Sequence, residues 1–324
     1  SALAGFEQQG LFPDSRQTHA PEPEGFEKIT PRGPRLVEPT SWVNHNFIET
    51  PGHIFEIGCS DAALGAALMH PVAHLGTDPQ HRSDTRIAVV AGNQSPKRWD
   101  LFVDGLGWQQ GLKANEVFPY LAMLVFERAC MALDNRLLFH SAVVEKEGRA
   151  LLLPAETGSG KTTLAAALIC HGGRFFSDEI AALNVANLHV SPLPLPLSIK
   201  TGSVQPLLPH YPQLADSPVH LRVDGKKVRY LSPSPRHLPP KFEDSVPVQG
   251  LVFPRFEANQ TTRLHPIDKI EAMQRLSITG SSDRDLTGSD IEAMIALVEQ
   301  TPCYRLVFSE LSAAVDLLED QGLW

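Results

Sequence analysis

The chain has 324 residues, of which 42% are hydrophobic and 20% are charged, and its formal net charge is −9. This length predicts about two globular domains. The acidic balance argues against nucleic acid or an anionic membrane as a main partner, because both reward clustered Lys and Arg. The four cysteines are scattered without C-x-x-C spacing, which favours a reducing compartment. We find no apolar run long enough to span a bilayer and no signal peptide, so we expect the protein in the cytoplasm.

The first third of the chain predicts an arm followed by a small domain. Residues 1–42 are rich in Pro, Gly, Glu and Arg, which indicates an extended or partly disordered arm. Residues 43–115 contain short β-rich runs, one helix at 61–69 and turn signals, and they predict a small α+β domain. The β-rich runs lie at 53–60, 81–92 and 98–108, the last with a hairpin signal at Asp100–Gly105 and Gly107.

A long helix and a hairpin come next. Residues 116–135 carry apolar side chains at helical spacing, which predicts a helix packed against the domain formed by the rest of the chain, with a partner surface as the alternative. Strands are predicted at 137–144 and 149–154 around a turn. A loop at 155–160 and a helix at 161–170 follow. A hairpin directly before such a loop is not typical of Ras-like GTPases or ABC ATPases.

The loop reads A-E-T-G-S-G-K-T, which is the phosphate-loop (Walker A) pattern G-x-x-x-x-G-K-[ST] with Ala155 in the first glycine position. Gly158 and Gly160 let the backbone wrap closely around an anion at a helix N-terminus, where the dipole favours negative charge. Lys161 can reach the β- and γ-phosphates, and the Thr162 hydroxyl can bind Mg²⁺. A surface turn that happens to contain this string is the alternative. The predicted nucleotide-binding residues are Glu156, Thr157, Gly158, Ser159, Gly160, Lys161, Thr162 and Thr163.

The remaining chain alternates strands and helices, which predicts an α/β domain over residues 116–324. Proline recurs through residues 187–247 and argues against long helices there, so this segment is either a mobile substrate loop or an ordered connection. Asp290 is the expected N-cap of its helix. Strands are predicted at 174–177, 180–185, 197–200, 227–231, 248–253, 263–264 and 303–308, and helices at 268–276, 290–300 and 310–319.

An acidic pair supplies the second half of the predicted site. Asp178 and Glu179 follow an apolar strand, whose carboxyl end we expect beside the phosphate loop. One carboxylate could hold Mg²⁺ and the other could take the proton of an attacking hydroxyl. A solvated acidic turn is the alternative.

Three further polar residues are weaker candidates. His140 lies inside an apolar strand, where a histidine is usually a satisfied core group, but that strand neighbours the phosphate-loop strand. Arg255 could steady the charge of a transferring phosphate, or it could form a surface ion pair. Lys200 is a similar but weaker candidate for contacting the phosphate.

These motifs together resemble a known superfamily. H-S-A-V-V from His140, the phosphate-loop run and F-F-S-D-E-I-A-A-L at 175–183 look like the HPr kinase/phosphorylase superfamily, and most of all like HPr-kinase-related kinase A proteins. P-L-P-L-S-I-K-T-G-S at 194–203 and V-F-P-R-F-E-A at 252–258 resemble later motifs of those proteins. The resemblance covers roughly residues 84–308.

The resemblance implies a fold, an activity and residue roles. It implies a phosphoenolpyruvate-carboxykinase-like P-loop kinase domain, here preceded by the small α+β domain, that uses ATP and Mg²⁺ to phosphorylate a serine of a protein. Asp178 would be the general base, Glu179 a metal ligand, and His140 the family's upstream histidine. Relatives form hexamers and other assemblies, so a homo-oligomer is one assembly that the resemblance leaves open.

Two departures from the family pattern narrow this expectation. The family has two aspartates where this chain has Asp178 and Glu179, and the chain has no clear match to the later glycine-rich signature of phosphorolysis. The leading hypothesis is therefore an ATP- and Mg²⁺-dependent serine kinase of a protein or peptide. A kinase of a small hydroxylated metabolite and a nucleotide-gated binding module are the alternatives.

Overall fold

The computed structural model describes residues 42–78, 82–92, 97–133, 136–239, 244–280 and 286–324. The arm predicted at 1–42 lies outside the described residues except for Trp42. The ring of Trp42 covers Gly58, where a Cβ atom would come within 2.5 Å of it. The end of the predicted helix at 134–135 is also outside the described residues.

Sixteen strands are described, and they form three sheets. In chain order they are β1 (Asn44–Thr50), β2 (His53–Cys59), β3 (Thr85–Ala91), β4 (Trp99–Val103), β5 (Leu106–Leu112), β6 (Arg136–Lys146), β7 (Arg149–Pro154), β8 (Arg174–Ser177), β9 (Ile180–Asn184), β10 (His189–Ser191), β11 (Leu197–Lys200), β12 (His220–Leu221), β13 (Lys227–Leu231), β14 (Val246–Phe256), β15 (Arg263–Pro266) and β16 (Cys303–Phe308).

Seven α-helices and three short 3-10 helices are described between these strands. The α-helices are α1 (Ala62–Met69), α2 (Ala114–Ala132), α3 (Lys161–Cys170), α4 (Thr201–Leu207), α5 (Lys269–Ile278), α6 (Gly288–Gln300) and α7 (Leu311–Asp320). The 3-10 helices span His70–Leu75, Pro212–Leu214 and Pro235–His237. None of the helices in the described part of the chain combines the length and apolar character needed to cross a bilayer.

The first sheet has the order β1-β2-β3-β4-β5 and contains the predicted hairpin. Asp104 and Gly105 both have positive φ angles, 50° and 79°, as a two-residue turn between β4 and β5 requires. Strand β1 was not predicted. Helix α2 buries Val117, Leu121 and Leu124 against this sheet. We predicted that this helix packs against the nucleotide-binding domain; α2 does contact β12 of the third sheet, and it packs on the first sheet as well.

The second sheet has eight strands in the order β10-β9-β6-β7-β14-β16-β15, and β8 also pairs with β6. Strands β7, β14 and β16 are parallel. Strand β6 runs antiparallel to β7 on one side and to β8 and β9 on the other. Mixed sheets with helices between their strands confirm the predicted α/β class.

Helix α3 lies in the core beside this sheet. Leu164, Leu168 and Ile169 are at most 1% exposed and pack with residues of α4, α7 and β11. The start of α3 is therefore held rigidly, because the helix is buried on nearly every side.

Within the proline-rich segment, three described strands form a small third sheet in the order β11-β13-β12. The predicted strand bounds at 197–200 and 227–231 are confirmed. Helix α4 was not predicted. It has only seven residues and contains Pro206, so proline limits helix length here without preventing a helix. The N-cap of α6 is Thr287 and not Asp290, which instead completes the capping box at the third helical position.

Candidate active site

Strand direction brings the predicted site residues to one edge of the second sheet. Strands β7 and β8 both run antiparallel to β6 on opposite sides of it, so their carboxyl ends lie at the same edge. The phosphate loop follows β7 there, and Asp178 follows β8. The backbone of β6 joins the two, since the Ser141 N–H donates to the Glu179 carbonyl and the Ala155 N–H donates to the His140 carbonyl.

The phosphate loop needs its glycines for two different reasons. Gly158 and Gly160 have φ angles of 94° and 87°, a region that favours glycine. A Cβ atom at Gly160 would also come within 2.8 Å of the Phe308 ring, whereas nothing lies within 4 Å of one at Gly158. The loop is fixed to the neighbouring strand, because the Phe256 N–H donates to the Ser159 carbonyl at 2.8 Å.

Lys161 is the buried cation of the site. Its side chain is only 6% exposed, and its Nζ lies 3.0 Å from His140 Nε2 and 3.7 Å from Glu179 Oε2. A buried ammonium requires such partners, because desolvation of an unpaired charge is unfavourable. Lys161 is therefore held in place before any ligand arrives.

His140 acts here as a neutral acceptor. Burial and the nearby Lys161 ammonium lower the pKa of the imidazole, and they outweigh the opposite effect of Glu179. Nδ1 lies 3.1 Å from the Glu179 carbonyl, to which it donates, and this leaves Nε2 to accept from Lys161. The side chain thus positions the lysine.

Asp178 is a buried carboxylate whose hydrogen-bonding capacity is unused. It is 3% exposed, and neither Oδ atom accepts a hydrogen bond of ordinary geometry from the described residues. Burial raises the pKa of Asp178 to about 6, with a further rise from Glu179. Lys161, the Thr162 hydroxyl and the Ser198 N–H lie close enough to oppose this rise. Such an unsatisfied buried carboxylate is typical of a functional site.

Glu179 lies at the more open side of this group. Its side chain is 40% exposed and pairs with Lys161, and its Oε2 lies 3.6 Å from His140 Nδ1. Within the residues described, no group of three His, Cys, Asp or Glu side chains forms a ready metal cage. The donors available for a cation are oxygens of Thr162, Asp178 and Glu179, the ligand type that Mg²⁺ prefers when phosphates and water complete its shell.

One cavity of about 1950 Å³ unites these residues. Its walls include all eight predicted nucleotide-binding residues, as well as His140, Asp178, Glu179 and Lys200. Arg255 is not in the walls of this cavity. It is 71% exposed and pairs with Glu257 at 2.6 Å, so the structure does not bring it together with the rest of the predicted site.

Sequence reasoning missed several residues of the cavity wall. Phe256 and Phe308 face each other across β14 and β16 and line the cavity beside Gly160. Neighbouring residues of a strand point to opposite faces, so Phe256 was missed by one position when Arg255 was chosen. Other missed residues come from distant segments and carry no local signal: Trp108, Met123, Ser198 and Tyr230.

Comparison with known proteins gives one partial similarity and no match to a family model. The chain is 34% identical over 68 residues to the HPr kinase/phosphorylase of Lactobacillus delbrueckii subsp. bulgaricus. The aligned region covers 21% of this chain and 22% of that protein. The similarity therefore concerns about a fifth of either chain.

Proposed function

We propose that this protein is an ATP- and Mg²⁺-dependent kinase that transfers the γ-phosphoryl group to a serine hydroxyl of a protein or peptide. The observation that carries the proposal is the meeting of a phosphate loop and an unsatisfied buried carboxylate in one cavity. The partial similarity to an HPr kinase/phosphorylase supports a kinase-type function.

The loop and Lys161 would hold the polyphosphate. Positive φ angles at Gly158 and Gly160 shape the backbone at the start of α3, where the helix dipole favours an anion. Lys161 would exchange its contacts with His140 and Glu179 for phosphate oxygens. Charge-assisted hydrogen bonds of this kind are worth about 1.5–3 kcal/mol each.

The oxygens at this edge of the sheet fit a magnesium ion. The Thr162 hydroxyl and the Glu179 carboxylate would hold the ion, which neutralises phosphate charge when bound, and Asp178 beside them stays available as the base. Glu179 suits this role because its side chain is 40% exposed and lines the same cavity as the phosphate loop.

Asp178 would act as the base for the acceptor. It takes the serine hydroxyl proton while the bond from serine Oγ to the γ-phosphorus forms, and the bond from that phosphorus to the bridging oxygen breaks with its electron pair leaving on ADP. A pKa of about 6 suits this task, because the carboxylate is ionised at neutral pH and is still basic enough to share a proton.

Mass spectrometry of candidate acceptors after incubation with ATP and Mg²⁺ tests the proposal. A phosphorylated serine in a peptide or protein supports it. A phosphorylated small metabolite with unmodified peptides would favour a metabolite kinase. Tight ATP binding without any phosphorylated acceptor would favour a nucleotide-gated binding module.

A further inference from the structure

The cavity is larger than one bound nucleotide requires. Pockets for small molecules and cofactors usually measure about 300–1000 Å³, whereas this one measures about 1950 Å³. The phosphate loop and its neighbours Phe256 and Phe308 form one end of it. A second ligand therefore has room at the other end while the loop is occupied.

The other end is lined mainly by apolar side chains of helix α2. Pro119, Ala122, Met123 and Phe126 follow each other at helical spacing and all line the cavity. The buried residues that hold α2 on the first sheet form a neighbouring face of the same helix. The helix thus presents one apolar face to its own core and a second to the cavity.

A short path connects this apolar end to the proposed base. The Ser198 N–H lies beside Asp178, and Ser198 is directly opposite Tyr230 across β11 and β13. Paired strands lie about 5 Å apart. The Tyr230 ring meets the Phe118 ring of α2 at 4.6 Å between centroids. The apolar wall therefore begins within roughly 10 Å of Asp178, a distance that a large side chain on a residue beside the serine can span, since consecutive Cα atoms are about 3.8 Å apart.

Most of the α2 side chains in this wall are apolar, and that favours an acceptor with an apolar group, although Gln109, Tyr120 and Glu127 also line the cavity. Arg222 Nη1 donates to Ser198 Oγ at 3.4 Å, and Arg222 Nε lies 3.3 Å from Asp224 Oδ1. The guanidinium charge is therefore already paired. A small polyhydroxylated metabolite would lose its hydrogen bonds with water against such walls, whereas a bulky apolar side chain gains by burial there.

Resting on the proposed function, we propose that the space between α2 and the third sheet is an acceptor subsite for a peptide segment with a large apolar residue next to its serine. Met123 and Tyr230 would contact that residue while the serine hydroxyl lies at Asp178. The subsite selects among serines by the residue that flanks them.

Synthetic peptides test this preference in the unmodified protein. Each peptide carries one serine in a Gly-Ala background, flanked by Leu, Phe, Gly, Asp or Lys, and kcat/KM is measured with saturating ATP and Mg²⁺. We expect values about tenfold or more higher for Leu and Phe than for Asp, because the Asp carboxylate would be desolvated in a cavity whose wall already carries Glu127. Values within twofold of each other across all flanking residues would overturn the subsite.

Two methionines of α2 provide a matched pair of variants. Met123 lines the cavity, whereas Met131 lies on the same helix roughly 12 Å further along, is 58% exposed and is not in the cavity wall. Met123→Glu should raise KM for Leu- and Phe-flanked peptides about tenfold, leave KM for ATP unchanged, and shift the preference toward Lys-flanked peptides. Met131→Glu should change none of these values.

The shift toward Lys is the decisive readout, because general damage to the fold cannot create a new preference. Identical peptide profiles for the two variants would contradict the subsite. The wild-type peptide series decides the question even if Met123→Glu is unstable.

The peptide experiment gives different results if only the subsite is wrong and if the proposed kinase function is wrong. Peptides phosphorylated without an apolar preference would remove only the subsite. A wild-type protein that binds ATP by calorimetry and phosphorylates no peptide in the series would contradict serine peptide kinase activity itself, and the subsite with it.

Discussion

The two ends of the central cavity differ in how the chain builds them. The phosphate-loop end comes from one continuous stretch, from β7 through the loop into α3, joined by two residues after β8. The α2 end collects side chains from four separate segments, including Trp108, Met123, Ser198 and Tyr230. The first end is polar, with Lys161 paired to His140 and Glu179 and with the buried Asp178 carboxylate unsatisfied. The second is mostly apolar and shaped by packing.

This difference indicates that phosphate binding and acceptor selection, the two halves of the proposed reaction, depend on different physics. Holding a polyphosphate requires fixed charges and backbone donors, which a short local motif can encode. Selecting an acceptor requires a shaped surface, which only tertiary packing provides. Mutations at one end should therefore leave the binding function of the other end intact.

The largest effect on ATP binding is expected from Lys161→Ala at the polar end. Loss of a buried charge-assisted contact should weaken ATP binding about tenfold to a hundredfold and reduce transfer by at least as much. Calorimetry gives the affinity, and KM for apolar-flanked peptides should stay nearly constant. Lys146→Ala is the matched control, because Lys146 lies at the far end of β6 and pairs with Glu319. Unchanged ATP affinity in Lys161→Ala would contradict the phosphate-loop assignment.

A smaller effect is expected from pH. Because the pKa of Asp178 is raised to about 6 in the unliganded protein, kcat/KM for ATP, which reports the free enzyme, should fall about tenfold per pH unit below 6 and level off above it. Glu179, Lys161, Lys200 and His140 also face this region, and burial and the Lys161 ammonium lower the pKa of His140 below that of an ordinary imidazole. A kcat/KM for ATP that is flat between pH 5 and pH 7 in the wild-type protein would contradict Asp178 as the base.

The same pKa gives a stability prediction with a defined sign. Folded Asp178 keeps its proton to higher pH than the unfolded chain does, whose carboxyl has a pKa near 3.8. As the pH rises from about 4 to about 6, the wild-type protein should therefore lose free energy of unfolding relative to Asp178→Asn. The expected loss is of the order of 1–3 kcal/mol. Urea titrations across this range measure it, and parallel curves for the two proteins would contradict the raised pKa.

The smallest effect is expected from Arg255→Ala. Arg255 is largely exposed and pairs with Glu257 outside the cavity wall, and a surface ion pair is worth about 0–1 kcal/mol. Transfer and ATP affinity should both stay within twofold of the wild-type values. A tenfold loss of transfer at unchanged affinity would instead place Arg255 among the groups that contact the phosphates.

The sequence predicted the phosphate-loop end well because local rules determine it. Strand, loop and helix around Lys161 follow from a motif whose glycines require positive φ angles, and both glycines have them. The position of Asp178 beside the loop followed from the strand that precedes it. Even in the proline-rich segment, β11 and β13 were predicted with the observed bounds.

The α2 end could not be predicted, because no single segment contains it. Met123 and Phe118 belong to a helix whose apolar spacing indicates burial but does not identify its packing partner. The pairing of Ser198 with Tyr230 spans more than thirty residues of proline-rich chain. Arg255 was likewise predicted at the site without knowledge of which strand face meets the cavity. Neighbouring strand residues point to opposite faces, and Phe256 lines the cavity whereas Arg255 does not.

The most direct test of the central claim is ATP affinity and phosphoryl transfer measured side by side in Asp178→Asn. If the phosphate loop and this carboxylate form one active site, calorimetry should give an ATP dissociation constant within a few-fold of wild type in the presence of Mg²⁺. Transfer to a serine peptide should fall by a factor of about 10²–10⁴. Near-normal transfer by Asp178→Asn would contradict the account, because the base would then lie elsewhere.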